Sequence, residues 1–160
     1  MITLGIGDFG VTSVRGEVLK TFGLGSCVAI CGSDIKAGVA AMIHIALPDS
    51  LVNQERSREK PGYFADTGLE ALFGQMAKMG FLPKPGQFKV KLVGGANILD
   101  PNNTFNIGKK NILAAKRLLW ARGFGPIAED VGGTYSRTVS LQAGWDEVKV
   151  SSPGKENWTV

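Results

Sequence analysis

"CVAICGSDIKAGVAAMIHI", residues 27–45, holds two short apolar runs around a polar, glycine-bounded middle. "CVAIC" and "AAMIHI" are β-compatible apolar runs, and they can form an antiparallel hairpin across "GSDIKAG". If Cys31 faces Ala40, then Cys27 faces His44, because paired numbers in such a ladder keep a constant sum. Directly opposed residues carry Cβ atoms about 4.5–5.5 Å apart on one face of the sheet. That is thiol–imidazole distance. A slip of one residue would send His44 to the opposite face, so the pairing depends on register.

Just upstream, "TFGLGS" (21–26) sets Cys27 directly behind closely spaced glycines and a serine. A thiol of ordinary pKa is mostly protonated at neutral pH, and an adjacent imidazolium would stabilise its thiolate. Such a thiolate attacks an acyl carbon, and the histidine protonates the leaving group. The turn around Gly23–Gly25 and Ser26 leaves backbone N–H groups to stabilise the tetrahedral oxyanion. A small buried cysteine and a hydrogen-bonded core histidine would look the same, so the pair alone leaves both readings open. Ser26 lacks the G-x-S-x-G spacing of a nucleophile elbow and reads as a turn residue that satisfies backbone groups. "GIGDFG" (5–10) fits G-x-G-x-x-G, but the β-branched "VTSVRG" that follows cannot open the helix a dinucleotide site requires.

The 160 residues read as one domain, 1–160, with a real core and a loose tail over 151–160. Two cysteines four residues apart form no disulfide framework, and one histidine beside them leaves a zinc site short of ligands, so neither metal nor cofactor is expected. The net charge of +4 is spread along the chain, without the aromatic–basic interleaving of a nucleic-acid binder. "GKKNILAAKRLLWARG" reads as an amphipathic helix with its basic residues in water, and an acidic protein surface suits it better than DNA. No signal peptide and no apolar run of membrane-spanning length is visible, which points to a cytoplasmic protein.

Elsewhere the chain reads as "MITLGIG" and "GEVLKTFGL" strands, an exposed loop over 48–62, and a helix over "ADTGLEALFGQMAKMG" capped by Asp66 or Thr67 and stopped at Gly80. A strand "FKVKLVGGA", a helix from about Asn106 to Arg122, and the strands "PIAEDVGG", "YSRTVSLQ" and "WDEVKVS" follow. Seven or eight strands with two long helices, and no regular alternation, make the class α+β.

Several of these stretches resemble the CheD family of chemoreceptor glutamine deamidases. They are "GLGSC" (23–27), His44 followed by "LPDS" (47–50), "PGYFADT" (61–67), "GGA" (94–96), "NIGKKN" (106–111) and "EDVGGTYSR" (129–137), in the family's order. The resemblance implies two mixed β-sheets packed as a sandwich with helices on the outside (α/β/β/α), similar to the catalytic domain of cytotoxic necrotizing factor toxins. It also implies Cys27 as nucleophile, His44 as general acid/base, and Thr21 as the group orienting the imidazole. Two departures, Ser136 before Arg137 and Phe64 where the family has tyrosine, fall on the expected substrate rim. Arg56, Arg58 and Lys60 extend that rim as a basic patch suited to acidic receptor surfaces.

The function implied is hydrolysis of receptor glutamine side chains to glutamate through a Cys27 thioester, on the cytoplasmic helical domains of chemoreceptors. The family also binds the phosphatase CheC, so an adaptor with little catalysis is one alternative. Cleavage of receptor glutamyl methyl esters at the same pair is another, since both reactions pass through one acyl-enzyme.

Overall fold

The computed structural model describes all residues, 1–160. Its strands are β1 (Ile2–Leu4), β2 (Phe9–Thr12), β3 (Val18–Leu24), β4 (Val28–Asp34), β5 (Val39–Ile45), β6 (Lys89–Gly94), β7 (Ala128–Val131), β8 (Arg137–Gln142), β9 (Val148–Ser151) and β10 (Trp158–Thr159). The helices are α1 (Gln54–Glu59), α2 (Ala65–Lys78) and α3 (Ile107–Ala121). Sheet A has the order β1-β3-β8-β9-β10 and sheet B the order β2-β5-β4-β6-β7. Both are mixed: β1–β3 and β6–β7 are parallel, the other pairs antiparallel.

The fold is thus an α+β sandwich of two mixed sheets with its helices outside. One core lies between the sheets, built from residues such as Leu19, Leu24, Ala29, Cys31, Met42 and Val139. A second lies on the outer side of sheet B, where Val28, Ile30 and Ile43 meet Leu69 and Leu72 of α2 and Leu119 of α3. Sheet B is therefore covered on both faces, and every residue of β4 and β5 is buried. This explains the near-continuous apolar run of "VAAMIHI", which a half-exposed strand would break by alternation.

The hairpin forms, with a register two residues from the expected one. Cys31 pairs with Met42 and Ala29 with His44, not Cys31 with Ala40 and Cys27 with His44. Strand β4 runs on through Gly32-Ser33-Asp34, leaving only residues 35–38 as the turn. Gly32 permits this because a Cβ there would overlap the Phe88 ring, which packs against the strand. Asp34 closes the turn by accepting from the Ala37 N–H at 2.9 Å, and Gly38 takes φ +70°. A shift of two preserves the face, so Cys27 and His44 stay on the same side.

Other expectations change locally. Residues 48–62 are not a plain loop: they hold a 3-10 turn at Ser50–Val52 and α1, capped by the Asn53 side chain. Neither Asp66 nor Thr67 caps α2. Asp66 accepts from the Ser50 amide and hydroxyl, and Thr67 donates to the Pro61 carbonyl. The tail is not loose, because β10 pairs with β9 and the Trp158 indole donates to Asp130 at 2.7 Å. The glycines of "GIGDFG" form a turn and the start of β2, and no helix opens there.

Candidate active site

Thr21 lies in β3 of sheet A and His44 in β5 of sheet B, both fully buried, and their side chains meet across the sandwich. The Thr21 hydroxyl sits 2.6 Å from His44 Nδ1 and donates its only hydrogen to the Leu4 carbonyl at 2.8 Å. Having spent that hydrogen, it can only accept from the ring, so Nδ1 carries the proton. Nε2 is left with a lone pair. It is buried and has no hydrogen-bond partner.

Cys27 precedes β4 and is half-buried, packed against the inter-sheet core that His44 also faces. It lies two positions before Ala29, the partner of His44, which is the diagonal-neighbour relation in an antiparallel ladder. The turn that carries it is clamped by the "GGA" segment: Gly95 N–H donates to the Cys27 carbonyl and Ala96 N–H to the Gly25 carbonyl, each at 2.8 Å. Gly94 must be glycine here. Its φ is +113°, and a Cβ would overlap the Cys27 carbonyl oxygen. The amides of Gly25, Ser26 and Cys27 donate to no other residue. The Ser26 hydroxyl makes no hydrogen bond to the backbone of the turn, contrary to expectation.

Ionisation differs from the imidazolium-supported thiolate read in the sequence. Burial pushes the Cys27 thiol up, against the smaller opposing effect of its own backbone N–H. Burial pushes the His44 imidazole down to about 4, with the Asp8 carboxylate opposing. At neutral pH both side chains are uncharged. The physical cause is desolvation, which penalises both charged forms.

The expected rim is divided. Arg56 and Arg58 are exposed on α1, with Arg56 stacked over the Tyr63 ring at 4.6 Å. Lys60 follows and bridges Asp8 at 3.2 Å. Phe64 and Arg137 are not rim residues, being 0% and 1% exposed. Phe64 precedes α2 as core. Arg137 holds the 130–137 loop through the Gly132 carbonyl, Asp130 and Tyr135.

Two features escaped sequence reasoning. A cavity of about 450 Å³ opens beside the cysteine turn, lined by Gly25, Ser26, Ile98, Leu99, Phe105 and Ile107. Asn111, fully buried on α3, donates from Nδ2 to the Ser26 carbonyl at 2.9 Å and the Ala46 carbonyl at 3.0 Å. An asparagine on the apolar side of an otherwise amphipathic helix was the available signal.

Two mixed five-stranded sheets packed face to face with helices outside put the chain in the class of α+β sandwich proteins. Within it, the chain belongs to the CheD family: the family model described as CheD chemotactic sensory transduction matches residues 46–152. The match begins just past His44, and a relative aligned over 159 residues covers Thr21, Cys27 and His44 as well. A Syntrophotalea carbinolica protein named "Probable chemoreceptor glutamine deamidase CheD" is 46% identical over 99% of this chain and 98% of its own. The Thermotoga maritima "Chemoreceptor glutamine deamidase CheD" is 40% identical over 85% of this chain and 82% of its own. A Thermococcus kodakarensis relative, again named as a probable deamidase of this kind, is 38% identical over 93% and 91%. No helix of the chain is long and apolar enough to cross a membrane.

Proposed function

We propose that the protein deamidates glutamine side chains on the cytoplasmic helical domains of chemoreceptors, with Cys27 as nucleophile, His44 as proton shuttle and Thr21 as its orienting partner. The observation that carries this is the buried, unpartnered Nε2 of His44, because an unsatisfied buried polar atom is costly and calls for a role. The reading also rests on the relatives' names, since 46% identity spans the whole site.

The reaction starts from the neutral pair. As sulfur attacks the carboxamide carbon, Nε2 takes the thiol proton, so the thiolate exists only as it is consumed. Thiol and Nε2 make no hydrogen bond here, and such contacts tighten when substrate fills the site. The oxyanion is met by the free amides of Ser26 and Cys27. His44 then protonates the departing nitrogen, the C–N bond breaks, and ammonia leaves a thioester. Water, deprotonated by Nε2, attacks that thioester, and glutamate and the free thiol result. Thr21 accepts from Nδ1–H throughout. Being neutral, it leaves the imidazole a weak base that returns its proton readily, which a carboxylate partner would not.

The test is incubation with a receptor cytoplasmic fragment, measuring ammonia release and mapping converted glutamines by mass spectrometry. Stoichiometric ammonia and glutamate are expected from the native protein, and neither from His44→Ala. Methanol release from esterified receptor without any ammonia would favour the esterase reading instead.

A further inference from the structure

Three consecutive carbonyls of the cysteine turn are tied inward. Gly25 O accepts from Ala96 N–H, Ser26 O from Asn111 Nδ2, and Cys27 O from Gly95 N–H. The three amides of the same turn point to no protein acceptor outside it. Two of the ties are backbone to backbone. The middle one is a side chain, and it holds the peptide whose N–H belongs to Cys27 itself.

A trans peptide is planar, with its C=O and N–H antiparallel. Fixing the Ser26 carbonyl therefore fixes the direction of the Cys27 N–H, away from α3 and out of the clamp. The second hydrogen of the same Nδ2 goes to the carbonyl of Ala46, two residues beyond His44. One amide group thus couples the nucleophile's peptide to the end of the histidine strand. Both partners are carbonyls, so nitrogen must face them, and Oδ1 is left buried without a donor. Asparagine is also a mediocre helix former. A residue chosen for stability alone would not pair poor helix propensity with an orphaned oxygen.

We infer that Asn111 is a positioning residue for the oxyanion hole, aiming the Cys27 N–H at the tetrahedral intermediate. The inference rests on Cys27 being the nucleophile. Its signature is a split between two reactions of one thiol. Attack on a carboxamide forms an oxyanion. Alkylation by iodoacetamide is displacement at a saturated carbon and forms none.

The experiment compares Asn111→Ala and Asn111→Asp with the native protein, each confirmed as folded by circular dichroism. For Asn111→Ala, kcat for deamidation of a receptor cytoplasmic fragment should fall about 10²-fold, the scale of losing one oxyanion donor, with KM little changed. Alkylation of Cys27 should stay within about threefold across pH, because burial dominates the thiol's ionisation and its own backbone N–H is only the smaller influence on it. In Asn111→Asp the protonated carboxyl supplies one donor, so activity relative to native should recover as pH falls. A kcat within twofold of native, or alkylation falling in step with kcat, would overturn the inference. Loss of activity on Cys27→Ala is a separate test, and its failure would sink the underlying reading instead. Should either variant fail to fold, the native protein decides. On forming a hemithioacetal with a glutamyl peptide aldehyde, the NMR signals of the Cys27 amide and the Asn111 side chain should both shift. Unshifted signals would reject the role.

Discussion

The Thr21 hydroxyl decides which nitrogen of His44 carries the proton, because its own hydrogen is committed to the Leu4 carbonyl. Thr21→Val keeps the shape and removes the acceptor, leaving a buried Nδ1–H unpaired. Stability should drop by about 1–3 kcal/mol and kcat by roughly 10- to 100-fold, read by urea unfolding and deamidation rates. Thr21→Ser restores the acceptor and should recover most of the rate; equal defects in both variants would exclude tautomer control. The depressed pKa of His44 has a second consequence. Between its ordinary 6.5 and the folded value of about 4, the unfolded chain binds a proton that the folded protein does not. Stability from this group is therefore present above pH 6.5 and is lost as pH falls towards 4, on the order of 3 kcal/mol in all. His44→Gln should show a shallower stability decline across that window, and an identical slope would place the imidazole pKa near normal.

At the scale of elements, the site is a junction of turns that only glycine permits. Gly94→Ala forces a Cβ into the Cys27 carbonyl at φ +113°, so it should cost about 2–4 kcal/mol and loosen the cysteine turn. Thermal unfolding within 0.5 kcal/mol of native would show that the clamp yields. Both long helices were legible from period and length, and the hairpin strands only as short apolar runs, because β4 and β5 are buried at every residue. Register was not. It turned on Gly32 admitting the Phe88 ring, a contact between residues 56 positions apart that no local pattern encodes. Asp66 looked like a cap by position but is drawn to Ser50, another distant partner. Cys27 and His44 share a face as expected, because a two-residue shift preserves it. Thr21 came only through the family resemblance, since it lies on the other sheet. Arg137 and Phe64 were placed on the rim through family motifs, but both are buried, since a motif does not say which way its side chains point.

Across the whole molecule, the sheets bury His44 and half-bury Cys27, while α1 presents Arg56 and Arg58 to water. Replacing Arg56, Arg58 and Lys60 with glutamine should slow deamidation of receptor fragments at low salt, with the deficit shrinking as ionic strength rises. Iodoacetamide reactivity of Cys27 should not change, and a salt-independent deficit would assign these residues to folding rather than docking. The central claim is that one thiol of two performs the chemistry. Cys31 is buried, and that burial pushes its thiol up to about 12, with Lys91 opposing weakly, so it is inert near neutrality. The most direct measurement is the deamidation rate of a receptor fragment by folded Cys27→Ala and Cys31→Ala side by side. The account predicts a loss of roughly 10⁴-fold or more for Cys27→Ala and near-native turnover for Cys31→Ala. Equal loss in both, or persistent deamidation without Cys27, would contradict it.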